Sequence, residues 1–496
     1  MSFSDHSLIL KKDGTLWGCG LNTSGQLGLE DTNNKTTFTQ AIANTDDIKS
    51  VYCGYCHTII LKNDGTLWGC GANSYGQLGL GDTNYRHTFT EITTNADDVK
   101  SVCCGRDCTF ILKNDGTLWS CGDNTYGQLG LGDGSHRYTF TQVTTNTNDI
   151  KEIYCGAFYA LILKNDGTLW GSGKNDYGEM GLGSISGTTT FTQITTNTDD
   201  IKQIYCGASH AFILKNDGTL WSCGYNDFGG LGLGDTNYRI TFTQVTINAN
   251  DVKSVYCGCH FTLMLKNDGT LWGCGTNSYG QLGLGDSNNR TTFTEITTNT
   301  NDVKSAYCGW NHTLMLKNDG TLWSTGHNGY GQLGLGNKSS KYTFTQVTTN
   351  VINDVKSLPN QYEDISTTIK VYDLNTGLIE TLDTNNFKNI PVDKFEKIKV
   401  LYTNPTDTLI AGLISFDNKA TWKAFTGTSW TTVSDITPNN ILLSGMSMEK
   451  INNFTKEVLV QGGFTGNIDF RIALKTNDDT KTPSITKIYI EYKKDN

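Results

Sequence analysis

Over the first 357 or so residues the apolar positions come in short runs broken by glycine, asparagine and aspartate, and no stretch shows helical spacing. One unit shows the pattern. Ser50-Val51-Tyr52-Cys53-Gly54 and His57-Thr58-Ile59-Ile60-Leu61 read as two strands rich in β-formers. Asn63-Asp64-Gly65 predicts a tight turn, with Gly65 suited to positive φ. Thr66-Leu67-Trp68-Gly69-Cys70 is a third strand, and Thr88-Phe89-Thr90-Glu91-Ile92 alternates faces as a fourth. The unit recurs: Trp17, Trp68, Trp119, Trp170, Trp221, Trp272 and Trp323 stand 51 residues apart, each ending an Asp-Gly-Thr-Leu-Trp word. Seven equal units of four antiparallel strands predict an all-β fold, a seven-bladed propeller in which each unit buries its apolar face against its neighbours.

Between the third and fourth strands lies a loop too long for a hairpin turn, Asn73-Ser74-Tyr75-Gly76-Gln77-Leu78-Gly79-Leu80-Gly81. Its asparagine recurs as Asn22, Asn73, Asn124, Asn175, Asn226, Asn277 and Asn328 and is expected to cap the turn, while the leucines fill the seams between blades. The first unit begins at its second strand, Ser7-Leu8-Ile9-Leu10. A spare Asp354-Val355-Lys356-Ser357-Leu358 follows the seventh and matches Asp47-Ile48-Lys49-Ser50-Val51. This segment is expected to pair with the N-terminal blade and clasp the ring, removing an exposed sheet edge.

The words Cys-Gly-x-x-His, Asp-Gly-Thr-Leu-Trp and Gly-x-Asn-x-x-Gly-Gln-Leu-Gly, in that order over residues 1–358, resemble the repeats of the Regulator of Chromosome Condensation family. That resemblance implies a seven-bladed propeller. It also implies a range of roles, from nucleotide exchange to scaffolding and binding. The exchange factor's basic tail and oversized blade insertion have no counterpart here, so exchange is the weakest of these readings.

Strand reversal places loops 1–2 and 3–4 of every blade on one face and loops 2–3 and 4–1 on the other. The second face is monotonous: Lys-Asn-Asp-Gly recurs six times, and the turn before each first strand ends in Asp47, Asp98, Asp149, Asp200, Asp251, Asp302 or Asp354. The first face varies. The residue before each recurring asparagine runs Leu21, Ala72, Asp123, Lys174, Tyr225, Thr276 and His327. Loop 1–2 offers Tyr55, Arg106, Phe158 and Trp310, and the tail of loop 3–4 adds Tyr85, His87, His136, Arg137, Tyr238 and Arg239. Variation on a rigid frame, with aromatic and arginine side chains at loop tips, is expected of a recognition surface. Tyr55, Arg106, Asp123, Phe158, Lys174, Tyr225, Trp310 and His327 are the candidate binding residues.

Other chemistry is thin. His6, His57, His210 and His312 share a register with Cys108, Tyr159 and Phe261, an interchange that fits packing better than catalysis or ligation. Asp82-Thr83-Asn84 and its copies at Asp31 and Asp235 lack the length and closing glutamate of a calcium loop and are read as Asx turns. Of 15 cysteines, eleven fall on two repeat registers, a blade apart and beyond disulfide reach. They read as small buried hydrophobes in a reducing compartment. No pattern implies a metal or cofactor, and no nucleophile, P-loop or dinucleotide word occurs, so the chain is expected not to be an enzyme. With a net charge of -10 and no basic stripe, nucleic acid is excluded as a partner class, and no apolar run is long enough for membrane insertion.

Residues 359–496 form a second domain, with alternating stretches at Thr368–Tyr372, Lys397–Tyr402, Phe470–Leu474 and Ile485–Tyr492 that predict a β-sandwich, and one short helix at Met446–Ile451. The stretch from Ile414 to Lys423, Trp430 and the final Pro483–Ile488 strand resemble accessory modules of phage tail proteins. That likeness, with an Asn/Thr/Lys-rich composition and no signal-peptide core after Met1, implies a phage-tail or tail-like-particle component made in a bacterial cytoplasm. It would be carried on the virion, binding a host cell-surface protein or glycan and other tail or baseplate proteins. The alternative is a bacterial propeller scaffold for protein interactions.

Overall fold

A computed structural model describes residues 4–41, 47–348 and 355–359, together with the backbone of nine strands beyond residue 368. The chain divides into two units, Met1–Gln361 and Tyr362–Asn496. The first holds seven four-stranded antiparallel sheets, one per repeat. In the second repeat the strands are Ile48–Cys53, His57–Lys62, Leu67–Gly71 and Arg86–Ile92, paired in that order and within a few residues of the sequence expectation. The third and fourth strands slip register after Gly69, where the long loop leaves the sheet.

Each blade is apolar on both faces, so its core lies in the seams. Ile59, Leu61, Leu67, Leu78 and Ile92 of the second blade form one cluster with Val102, Cys104, Ile111, Cys121 and Phe140 of the third. Phe38, Phe89, Phe140, Phe191, Phe242, Phe293 and Phe344 are all fully buried at one register. Each contributes about 2–3 kcal/mol of transfer free energy. Loop 3–4 carries the contact. Leu78 enters the seam, and Gly76, at φ +79°, lies so near the next blade that a Cβ there would sit 2.4 Å from the Cα of Tyr138. Only glycine fits that approach.

The ring closes with strand Val355–Ser357, which pairs antiparallel with His6–Lys11 and supplies the strand the first repeat lacks. Val355 and Leu358 are buried in the last seam with Ile9, Phe38, Leu314 and Val347. Asp354 lies outside the described residues.

The histidine register is structural, and its pairing explains the interchange. The Nε2 atoms of His6, His57 and His210 lie 3.0–3.1 Å from the hydroxyls of Thr58, Thr109 and Thr262 in the next blade, and that of His312 is 2.8 Å from Ser7. The same threonines donate to loop carbonyls of the preceding blade, as Thr109 does to Gln77. Where the next blade offers Ala160 or Ala211 in place of threonine, the partner position holds Cys108 or Tyr159. Tyr159 instead donates to the carbonyl of His210. In the sixth blade Phe261 stands beside Thr313, which keeps its bond to Gln281. Burial drives the four histidines down to about 3.

No disulfide joins the fifteen cysteines, all but Cys56 are buried, and burial pushes thiols such as that of Cys53 upward, to about 12. In the second unit the described strands form two sheets. One contains Ile369–Asp373, Ile379–Leu382, Phe395–Tyr402 and Ile485–Tyr492; the other is built on Thr408–Ser415 paired with Asn467–Thr476. All four expected stretches are strands. The packing of these sheets as a sandwich and the expected helix at 446–451 lie outside the described residues.

Deleting Val355–Leu358 should leave the first blade a strand short and open the last seam, lowering Tm and producing aggregates in size-exclusion chromatography. An unchanged Tm and a monodisperse peak would refute the clasp. The histidines give a pH dependence of defined sign. Each binds its proton near 6.5 when unfolded but only near 3 when folded, so the stability they contribute is complete above 6.5 and falls as pH drops toward 3. Asp5 and Asp107, lifted to about 6, act in the opposite sense, so the difference between variant and parent is the readout. His57→Phe, the residue that stands at this register in the sixth blade, should lose less stability than the parent between pH 7.5 and 5.0 in denaturant midpoints. An identical pH slope would refute it.

Candidate functional site

On the face carrying loops 1–2 and 3–4, the variable positions lie in three concentric rings, each held by its backbone. The innermost ring is Ser4 and, in the other six blades, the residue after the Cys-Gly word: Tyr55, Arg106, Ala157, Ala208, Cys259 and Trp310. The N–H of Tyr55 donates to the carbonyl of Arg106 at 2.9 Å, Arg106 to Ala157 at 3.1 Å, Ala157 to Ala208 at 3.2 Å and Trp310 to Ser4 at 2.9 Å. These bonds run blade to blade about the axis, the last joining the seventh blade to the first. The next ring is Asp5, Cys56, Asp107, Phe158, Ser209, His260 and Asn311. Each of their carbonyls accepts from the N–H of Leu21, Ala72, Asp123, Lys174, Tyr225, Thr276 and His327 in turn, at 2.8–3.0 Å. Because the backbone supplies the bonds, any side chain fits, and this is why these positions differ from blade to blade.

Four candidate residues meet at the axis. The guanidinium of Arg106 lies 4.8 Å from the ring of Tyr55, 5.3 Å from Phe158 and 5.9 Å from Trp310, and Tyr55 meets Trp310 edge to face at 5.4 Å. Ala157, Ala208 and Cys259 pack beneath Phe158 and Trp310. Arg106 Nε is 3.4 Å from Asp107 Oδ2. Lys174 extends the cluster, pairing with Asp176 at 3.2 Å and lying within 6.0 Å of Tyr126, Phe158 and Tyr177. Tyr225 stacks on Tyr238, touches Tyr177, Phe228 and His260, and donates to Asp227. Burial, then Asp227, pushes its phenol upward.

Two candidates have different surroundings. Asp123 is buried, accepts from Thr125 and takes a 2.8 Å bond from Gln128 Nε2, so its carboxylate braces its own loop. His327, half-buried, bonds to Gln332 at 2.8 Å and packs against Tyr279 and Tyr330. Among the outer residues, Arg137 and Arg239 are tied to Asp133 and Asp235 at 2.7 and 2.6 Å, and Tyr85 to Ser74. The Asx turns form as expected: Asp82 accepts from the N–H of Asn84, and its bond from Arg86 holds its carboxyl below the usual range.

Sequence reading passed over an aromatic crown. Tyr75, Tyr126, Tyr177, Phe228, Tyr279 and Tyr330 stand two residues after the capping asparagine, and five of them are 36–44% exposed. Because they recur, difference between blades does not single them out. Sequence reading also passed over Asp5, Cys56, Asp107 and His260 around the axis.

The opposite face is fixed by repetition. Asp47 and its copies to Asp302 sit at φ 54–63° and accept from the asparagine of Lys-Asn-Asp-Gly, as Asn63 bonds Asp47 at 2.6 Å. The preceding lysine lies over the blade's tryptophan, Lys164 at 4.2 Å from Trp170. Lys164 is thus a packing residue. Exposed Lys202 is the better inert control.

The family model for the RCC1-like domain matches residues 2–246 and, overlapping them, 90–367. The ultraviolet-B receptor UVR8 of Arabidopsis thaliana is 31% identical over 303 residues, 60% of this chain and 69% of the relative. The human X-linked retinitis pigmentosa GTPase regulator is 30% identical over 288 residues, 57% of this chain, and the human probable E3 ubiquitin-protein ligase HERC4 is 29% identical over 304 residues, 59% of this chain. Of each of these two the chain spans only 28%. Among solved structures, yeast RCC1 (Prp20), seen bound to Kap60, superposes with a TM-score of 0.62 at 20% identity, over 70% of this chain and 85% of that one. Human WBSCR16 gives 0.60 at 22%, over 69% and 94%. These two likenesses establish the fold. With seven closed blades and a family model spanning more than half its length, the chain belongs to the RCC1-like domain family.

Proposed function

We propose that the chain is a non-enzymatic interaction scaffold that takes a protein partner on the variable face, around the axial cluster of Tyr55, Arg106, Phe158 and Trp310. One observation carries the reading: the side chains that differ between blades converge on a single face whose backbone is independently fixed, while the opposite face repeats one hydrogen-bonded turn. Aromatic and arginine side chains clustered at the centre of a surface are the usual anchors of binding energy. The relatives support a scaffold more than a tail-particle component, since they are a receptor, a GTPase regulator and a probable ubiquitin ligase by name. The tail reading rests on the chain's composition and on the likeness of residues 360–496, whose side chains lie outside the described residues.

The test is an alanine scan read against a partner recovered by affinity purification from the source cells. Alanine at Arg106, Tyr225 or Trp310 should weaken binding by about 1–4 kcal/mol with the fold intact. Lys202→Ala should leave affinity unchanged. Asp123→Ala should act on stability, costing about 1–3 kcal/mol, because it strands the buried Gln128 amide. Equal losses from Lys202 and the axial residues would sink the assignment, and recovery of a glycan in place of a protein would redirect it.

A further inference from the structure

The axial mouth is electrically incomplete. Asp5 and Asp107 face it from the first and third blades, each carboxyl raised to about 6 by burial. Asp107 has its cation, because Arg106 Nε stands 3.4 Å away. Asp5 has none: the residue is only 8% exposed, yet its Oδ1 has no hydrogen-bond partner. Its charge acts on Tyr55 and Cys56 of the second blade and on Cys259 of the sixth. Arg106 is held instead among the rings of Tyr55, Phe158 and Trp310.

A buried carboxylate that lacks both a counter-ion and a hydrogen bond costs stability, and this one stands at the centre of the face built to vary. Among the described residues, two carboxylates against one guanidinium leave the mouth with one negative charge in excess. Tyr55, Trp310, Ala208 and Cys259 offer an apolar lining for an aliphatic stem. We infer that the axial mouth receives one lysine or arginine side chain of a partner protein, its stem along Tyr55 and Trp310 and its cationic head on Asp5. A basic group satisfies Asp5, whereas an acidic one would meet two carboxylates. The inference rests on the scaffold reading and names the chemistry of its partner.

The experiment uses the full chain and two fluorescein-labelled probes, tetra-arginine and tetra-glutamate, followed by anisotropy at 150 mM salt. Tetra-arginine should bind and tetra-glutamate should not. Asp5→Asn should weaken tetra-arginine at least fivefold while keeping or raising Tm, since it removes a charge without removing a partner. Glu91→Gln makes the same charge change on the opposite face and should alter affinity less than twofold. Equal effects of the two variants, or equal binding of the two probes, would overturn the inference. A second measurement needs no variant. Cys56, the one cysteine that is not buried, has its thiol raised by burial and by the charges of Asp107 and Asp5, so a guanidinium set on Asp5 relieves part of that rise and saturating tetra-arginine should change its rate of alkylation by iodoacetamide. An unchanged rate would count against the site even if Asp5→Asn failed to fold. Failure here with the Trp310 and Tyr225 effects intact would remove the basic side chain and leave the scaffold; failure of both would remove both.

Discussion

Each blade is a sheet with two apolar faces and no core of its own, so its stability is borrowed from the blades on either side. Everything else in the propeller follows from that dependence. A linear stack would leave two apolar sheets bare, and closure of the ring removes both. The seam at the junction repeats the others only because Val355 and Leu358, from beyond the seventh repeat, enter it beside Ile9 and Phe38. The most distant residues in the propeller's sequence therefore complete its most exposed contact.

The seams are also where polar groups are most tightly constrained. The histidine of one blade and the hydroxyl of the next form a unit that spans four of the seven seams, and the substitutions travel together: alanine at 160 or 211 is met by cysteine or tyrosine at 108 or 159. Glycine shares in this. A Cβ at Gly54 would lie 2.1 Å from Cε1 of His57, so the Cys-Gly word and the histidine three residues on are one packing solution. Where Phe261 replaces histidine, Gly258 makes the same allowance.

Much of this was legible in the sequence, for a physical reason. A seven-fold repeat samples each structural demand seven times, so the capping asparagine, the seam leucine and the turn of Lys-Asn-Asp-Gly stand out by recurrence. Tyr55, Arg106, Phe158 and Trp310 were found by the opposite signal, difference within a constant frame, and the structure brings these four together at the axis. The method failed where a residue's role broke with its visibility. The crown from Tyr75 to Tyr330 recurs, so difference between blades does not single it out, although most of it is exposed. Asp123 differs from its counterparts and was taken for a recognition tip although it is buried. Arg137 and Arg239 stand on the variable face, yet an aspartate four residues earlier in the chain holds each. Variation marks freedom from backbone constraint, and a local side-chain bond can use that freedom as readily as a partner can.

Freedom of that kind has an energetic signature at the axis. The seams satisfy their threonine hydroxyls and bury their apolar rings, and the outer face satisfies its aspartates. At the mouth, Asp5 Oδ1, Arg106 Nε and His260 Nδ1 are buried without a hydrogen bond, within the rings of residues that the backbone holds and the side chains do not. The repeated seam histidines His6, His57, His210 and His312 also leave Nδ1 without a hydrogen bond, so what sets the mouth apart is that Asp5 and Arg106 are charged groups. Such groups destabilise the isolated chain and stabilise a complex that completes them, which is how a rigid ring, unable to close around a ligand, can still favour the bound state.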